Sequence, residues 1–303
     1  MKNEDLIIFM RINIYNQIDS CSESCTRIRR CALQHLVTFT GGQLPFKRVT
    51  PSFLKSFEEY LWQRELAMNT VSAYLRAVRV HYNCAVREGL APFVHGLFKY
   101  VFTGVDGHAE RALDHESLHK LATQSSETLS PLQNKTRNLF LLLFLLRGIP
   151  FVDLIFLRKC DIRDKVLTYR RRKTGKRITV VLTPEAESIL KSCCLSDEHS
   201  PYLLPFIRHA EEDTYRQYQN ALRNFNYHLN RLAPALKLNG VHLSSYVARH
   251  SWATQAILMN ESIKLVSMAM GHSSVRVTEN YLKQASDRQI DEMNRRVIAE
   301  VFR

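Results

Sequence analysis

Through the first hundred residues, apolar positions return every three to four places. In "TPSFLKSFEEYLWQRE" Phe53, Phe57 and Leu61 recur at four-residue steps and form one helical stripe. Thr50 supplies a capping oxygen and Pro51 a pre-set first helical residue. A second helix opens at Asn69 or Thr70 and runs to Gly89, with Tyr74, Val78 and Tyr82 on one face and Arg76 and Arg79 on others. An earlier helix covers about Ser22 to Thr38, and "GGQLPF" from Gly41 breaks it.

Past Thr103 the periodicity lapses. "TGVDGHAERALD" carries two glycines and several charges, the pattern of a linker, so two domains are expected, residues 1–105 and 106–303. In the second, Asp114 caps a helix, another runs through "LFLLLFLL" at Leu139 to Leu146, and a short one covers about Val152 to Leu157. The pattern then changes to strands. Lys165 to Thr183 reads as two β-rich runs around "KTGK", a hairpin whose turn needs Gly175. Thr183 and Pro184 open a further helix, and Ser244 or Ser245 caps a later one. At the end, "SDRQIDEMNRRVIAEVFR" sets Ile290, Met293, Val297 and Val301 on one stripe. The expected fold is mainly α: a helical first domain, then a mixed α/β, mostly helical domain with a small antiparallel sheet.

Charge narrows the function. The 303 residues hold 42 Lys and Arg against 29 Asp and Glu, a formal +13, with +5 over residues 1–105 and +8 over 106–303. A charge spread over both halves suits a polyanionic partner, nucleic acid first and an acidic membrane second. The apolar run ending at Leu146 is far too short to span a bilayer core of about 30 Å, and the polar start argues against a signal peptide. Seven cysteines, an odd number, fit reduced thiols in a cytoplasm. Cys21, Cys25, Cys31 and His35 lie close together but match no standard zinc spacing, so neither metal nor cofactor is expected. The chain has no Gly-rich phosphate loop, His-Glu-x-x-His pair or G-x-S-x-G elbow, and no small-molecule substrate is indicated.

"SSYVARHSWATQAIL" and "MGHSSVRVTENYLK", following a hairpin with "RRKTGKR", resemble the catalytic domain of the tyrosine recombinase, or phage-integrase, family. The first domain, with "LAMNTVSAYLRAVRVHYNCAVREG", is similar to that family's helical, SAM-like core-binding domain, without the arm-binding domain that some integrases carry. The resemblance implies that a tyrosine attacks a DNA phosphodiester, leaving a 3′-phosphotyrosine and a free 5′-hydroxyl, so that rejoining needs no ATP. Tyr281 matches the nucleophile and Arg249 the arginine of the His-x-x-Arg segment. His272 matches the histidine that hydrogen-bonds the scissile phosphate, and Lys173 the lysine that protonates the leaving oxygen. Guanidinium suits the first task, being permanently charged and able to bind phosphate through paired hydrogen bonds. A mobile ammonium suits the second. The neighbouring Arg170, Arg171, Arg172 and Lys176 leave open a merely phosphate-touching basic turn.

Two positions depart from the family pattern. The His-x-x-Arg histidine is replaced by Tyr246, expected at the site although a phenol is a poorer base near neutral pH than imidazole. His242, four residues earlier, lies before the expected N-cap. In "RGIPFVD" the first arginine's place falls on Pro150, which has no donor. Arg147 is the candidate replacement, or else a cation at a helix C-terminus. Asp153 falls on the family's acid, as a buttress or a helix cap. The resemblance further implies double-stranded DNA with short repeat sites as partner and a tetramer on DNA, with the terminal helix docked in cis or in trans. DNA inversion, or integration and excision by a mobile element, is the expected activity. A DNA-binding protein of the same fold with impaired catalysis and a type IB topoisomerase-like enzyme are the alternatives.

Overall fold

The computed structural model describes residues 4–16, 22–106, 112–193, 200–208, 213–238, 240–279, 294–295 and 298–299. Chain contacts divide it into two units, Met1–His108 and Ala109–Arg303.

Among its described residues the first unit holds four α-helices. Helix α1 (Leu6–Asn16) precedes α2 (Glu23–Thr40), α3 (Pro51–Gln63) and α4 (Met68–Arg87). Thr50 caps as expected, whereas α4 starts at Met68, one or two residues before the expected Asn69 or Thr70, after Ala67, which offers no side-chain cap. Ser22 accepts from Cys25 N, Thr50 accepts from Phe53 N ahead of Pro51, and Gly41 ends α2 at φ 72°, where a side chain would be strained. Phe57, Leu61, Val78 and Tyr82 meet in one core with Leu6, Ile7 and Met10 of α1, a helix the hydropathy pattern did not single out. Asp5 anchors that helix, accepting from Ile7 N and, across the chain, from Leu44 N at 2.6 Å. The first part of the expected linker is held to this unit: Ser72 donates to the Gly104 carbonyl, and Asn69 and Asp106 exchange two hydrogen bonds.

In the second unit, α5 (His115–Thr123) starts on Asp114 and α6 (Pro131–Leu145) on a Ser130–Gln133 capping box. The short α7 (Phe151–Ile155) leads into a three-stranded antiparallel sheet, β1 (Ile162–Arg163), β2 (Val166–Arg170) and β3 (Arg177–Val181), in the order β1-β2-β3. The strand β1 is an addition to the expected hairpin. Buried Leu167 and Tyr169 alternate with the half-buried Val166 and Thr168 and the exposed Arg170, and face the core opposite Val180 and Ile178. Helices α8 (Pro184–Cys193), α9 (Thr214–Ala235), α10 (Ser245–Leu258), α11 (Ile263–Ala269) and α12 (Arg276–Glu279) complete it. The apolar α6 forms the centre of the core, with Phe140, Leu142 and Leu143 fully buried. Among the described residues no helix is long and apolar enough to cross a membrane. Nor does any group of three His, Cys, Asp or Glu gather there to hold a metal; Cys21 lies outside those residues.

Candidate active site

Three segments distant in sequence meet around one guanidinium. Arg249, buried on α10, donates to the Gly148 carbonyl at 2.6 Å and to the Met270 carbonyl at 2.9 Å. Its Nη2 lies 2.8 Å from His272 Nε2, and the imidazole's other nitrogen lies 2.8 Å from Thr278 Oγ1. Local backbone makes these contacts available. Arg147 and Gly148 are both left-handed, at φ 59° and 65°, and this double turn after α6 aims the Gly148 carbonyl at Arg249. A methyl group at Gly148 would stand 2.9 Å from the Arg249 Cα, so the approach itself requires glycine.

The sheet side is joined through Asp153. Its carboxylate takes Arg171 Nε at 2.9 Å in the interior and the Arg172 amide at 2.9 Å nearer the surface, while Arg171 Nη1 donates to the same Met270 carbonyl as Arg249. Asp153 therefore buttresses the basic cluster. Arg171 is not a phosphate-touching member of the turn; it is turned inward and paired with a carboxylate. The sequence does not reveal this, because Arg171 sits in a run of four basic residues that alternation alone does not sort. Thr174 donates to the Gly271 carbonyl and Lys176 to that of His272. Three successive carbonyls, 270 to 272, are thus held by the turn from Arg171 to Lys176. Lys173 remains exposed on that turn.

Burial pushes the His272 pKa down to about 4, and the cations Arg249, Arg171, Lys176 and Lys173 push the same way. The ring is neutral at pH 7. Burial raises the Asp153 carboxyl against the opposing pull of the Arg172 amide and of Arg171. Burial and Asp153 also raise the Tyr169 phenol, and Arg171, Arg249 and Arg147 oppose them, so the Arg147 charge reaches the same interior as the other two.

Of the expected site residues, Arg249 and His272 are in direct contact, Arg147 is in the adjoining turn and Lys173 acts on His272 through its charge. Tyr246 is on α10 one turn before Arg249, 48% exposed and edge-on to the His250 ring at 4.6 Å. His242 lies in the coil before α10, and Pro150 is the residue preceding α7. Tyr281 and most of the expected terminal helix lie outside the described residues. Outside the cluster, a cleft of about 580 Å³ is lined by Phe156, Arg158, Asp161, Arg170 and Arg177, with Arg170 and Arg177 directly paired across β2 and β3.

Known proteins share this architecture. The model of the phage integrase SAM-like domain matches residues 5–97, and that of the phage integrase family matches residues 111–288. The chain is 22% identical over 253 residues to the tyrosine recombinase XerD of Rickettsia bellii (strain RML369-C), covering 77% of this chain and 79% of that one. It is 28% identical over 197 residues to the tyrosine recombinase XerA of Thermococcus kodakarensis, covering 60% and 65%. Its fold is similar to that of the Tn1549 transposon integrase solved in complex with transposon right end DNA, with a TM-score of 0.72, 13% identity, and 97% and 99% of the two chains covered. It is also similar to the XerH site-specific recombinase bound to palindromic difH substrate, with a TM-score of 0.69, 15% identity and 96% of each chain covered.

Proposed function

The chain belongs to the phage integrase family and is a tyrosine-type site-specific recombinase, and from that premise we propose how its residues divide the reaction. Tyr281 attacks the DNA phosphodiester and becomes linked to the 3′-phosphate. Arg249 and His272 hold the scissile phosphate, and Lys173 delivers a proton to the leaving 5′-oxygen. The observation that carries this reading is the 2.8 Å contact between buried Arg249 and His272, two residues 23 positions apart, beside a turn that leaves Lys173 exposed. Lys176 and Arg171, the competing cations of that turn, are engaged by the His272 carbonyl and by Asp153. Tyr246 borders the phosphate position through its hydroxyl.

Arg147 supplies the guanidinium that Pro150 does not. A left-handed backbone costs a residue with a side chain roughly 1–2 kcal/mol, and such strain gathers at functional positions. Arg147 carries that conformation beside the glycine whose carbonyl holds Arg249, and its charge acts on the interior shared with Arg249 and Arg171.

The partner is double-stranded DNA, bound by the two bodies, residues 1–105 and 106–303, in a tetramer assembled over short repeats in the cytoplasm. The paired Arg170 and Arg177 support this. Like charges directly opposite on neighbouring strands repel, and a phosphate backbone in the cleft relieves the repulsion. Inversion of a DNA segment, or integration and excision of a mobile element, is the outcome we assign.

Long-read sequencing of the DNA around the gene, in cells with the wild-type protein and with Tyr281→Phe, tests the reading. Inverted, excised or inserted segments bounded by short repeats are expected with wild type alone. Identical junctions in the two strains would favour a DNA-binding protein without catalysis, which Pro150 and Tyr246 would then explain. Relaxation of any plasmid regardless of sequence would point to a type IB topoisomerase-like enzyme.

A further inference from the structure

The exposed Lys173 sits on a turn whose other residues are tied down. Asp153 takes the Arg171 side chain and the Arg172 amide, and Thr174 and Lys176 donate to the carbonyls of Gly271 and His272. Across the base of the turn the Arg171 amide donates to the Lys176 carbonyl at 2.8 Å. A further tether holds the residue just before the lysine. The Arg172 guanidinium lies over the Phe156 ring, 4.0 Å from its centroid. Phe156 closes α7 three residues after Asp153, the spacing that sets side chains beside each other on a helical turn. Its ring is itself steadied, edge-on to Tyr202 at 6.1 Å.

The ring is what holds Arg172 in place. Arg172 forms no ion pair among the described residues, and Phe156 shares its cleft with Arg158, Arg170 and Arg177, like charges that push a loose guanidinium outward. An aromatic face attracts a cation through its quadrupole, and a planar guanidinium stacks on it. The side chain of Arg172 is thus fixed by Phe156 and its amide by Asp153, two points on one short helix.

We propose that Phe156 is a positioning residue: by holding Arg172 it fixes the turn so that the Lys173 ammonium stands at the leaving 5′-oxygen. This rests on the assignment of Lys173 above. As the bond from phosphorus to that oxygen breaks, the ammonium gives the oxygen one proton, the 5′-hydroxyl departs and Lys173 is left as the amine. The proton returns to it when the hydroxyl attacks the phosphotyrosine. A turn free to swing leaves the phosphate held by Arg249 and His272 but takes the proton donor away. Loss of the ring therefore harms departure of the leaving group and nothing else.

The test is single-turnover cleavage by the full chain, in saturating excess, of two duplexes built on a junction found by the sequencing above. One carries the ordinary 5′-oxygen at the scissile phosphate and the other sulfur in its place. A thiolate, the anion of an acid with a pKa of about 8.5, leaves without a proton, and an alkoxide does not. Lys173→Ala should be slowed at least about a hundredfold on oxygen and recover on sulfur. Phe156→Leu keeps an apolar side chain and loses the π face. It should cleave the oxygen duplex roughly three- to thirtyfold more slowly, the range over which a cation–π contact shifts an equilibrium, and the sulfur duplex as fast as wild type. Phe156→Tyr should match wild type on both. Partial unfolding slows both duplexes alike, so equal losses on the two overturn the proposal. A Phe156→Leu protein as fast as wild type on oxygen overturns it too, as does a Phe156→Tyr protein as slow as Phe156→Leu. Arg172→Met should repeat the Phe156→Leu pattern, and the double variant should be no slower than either, because all three lose one contact; losses that multiply overturn the proposal. If Lys173→Ala gains nothing from sulfur, the assignment of Lys173 itself fails.

Discussion

Arg147 holds a backbone conformation that a glycine would adopt without cost. Arg147→Gly should therefore raise stability in urea unfolding by about 1 kcal/mol while cutting DNA cleavage by roughly two orders of magnitude, the usual loss when a donor to a developing oxyanion is removed. A variant both stable and fully active would make Arg147 a mere helix-end cation. His272 carries a pH signature. Its folded pKa of about 4 is below the ordinary 6.5, so its contribution to stability is complete above pH 6.5 and is lost as pH falls toward 4. Wild type should lose stability over that interval more steeply than His272→Gln in matched urea titrations. Arg249 and His272 were legible in the sequence because motif spacing marks them. Thr278 and Arg171 were not, since the partners that define them, His272 and Asp153, are met only after folding.

The hairpin turn and the 270–272 segment act as one element, held by hydrogen bonds from Arg171, Thr174 and Lys176 to three consecutive carbonyls. The ion pair between Asp153 and Arg171 ties α7 to that element, with both side chains almost fully buried. Asp153→Asn leaves Arg171 buried without its counter-charge and should cost about 3–5 kcal/mol in urea unfolding. A loss under about 1 kcal/mol would mean that Asp153 is dispensable to the buttress. Gly148→Ala should likewise destabilise, because the added carbon meets the Arg249 backbone at 2.9 Å. At this scale the hairpin and the helices with clear caps were readable: Thr50–Pro51, Asp114, and the strand alternation on either side of Gly175. Helix α1 was not. It buries Leu6, Ile7, Phe9, Met10 and Ile14 yet exposes Ile8, Ile12 and Tyr15, so no single stripe marks it. The two-residue β1 is too short to carry any alternation, and it forms because Ile162 and Arg163 pair with β2.

For the molecule as a whole, the +13 charge and its spread over both halves make salt the first variable of DNA binding. The slope of log affinity against log salt should be steep. Replacing Arg158, Arg170 and Arg177 together by glutamine should reduce it by roughly one unit for each phosphate that these arginines neutralise. An unchanged slope would remove the cleft from the DNA-binding surface. The central claim is narrower: one tyrosine becomes covalently joined to DNA. The most direct measurement is to trap the protein on a duplex carrying a junction found by sequencing, digest both components, and locate the nucleotide-bearing peptide by mass spectrometry. The account predicts a single adduct, on the peptide containing Tyr281, through a 3′-phosphate, and none with Tyr281→Phe. An adduct on another residue, a 5′-phosphate linkage, or an adduct that persists in Tyr281→Phe would contradict it.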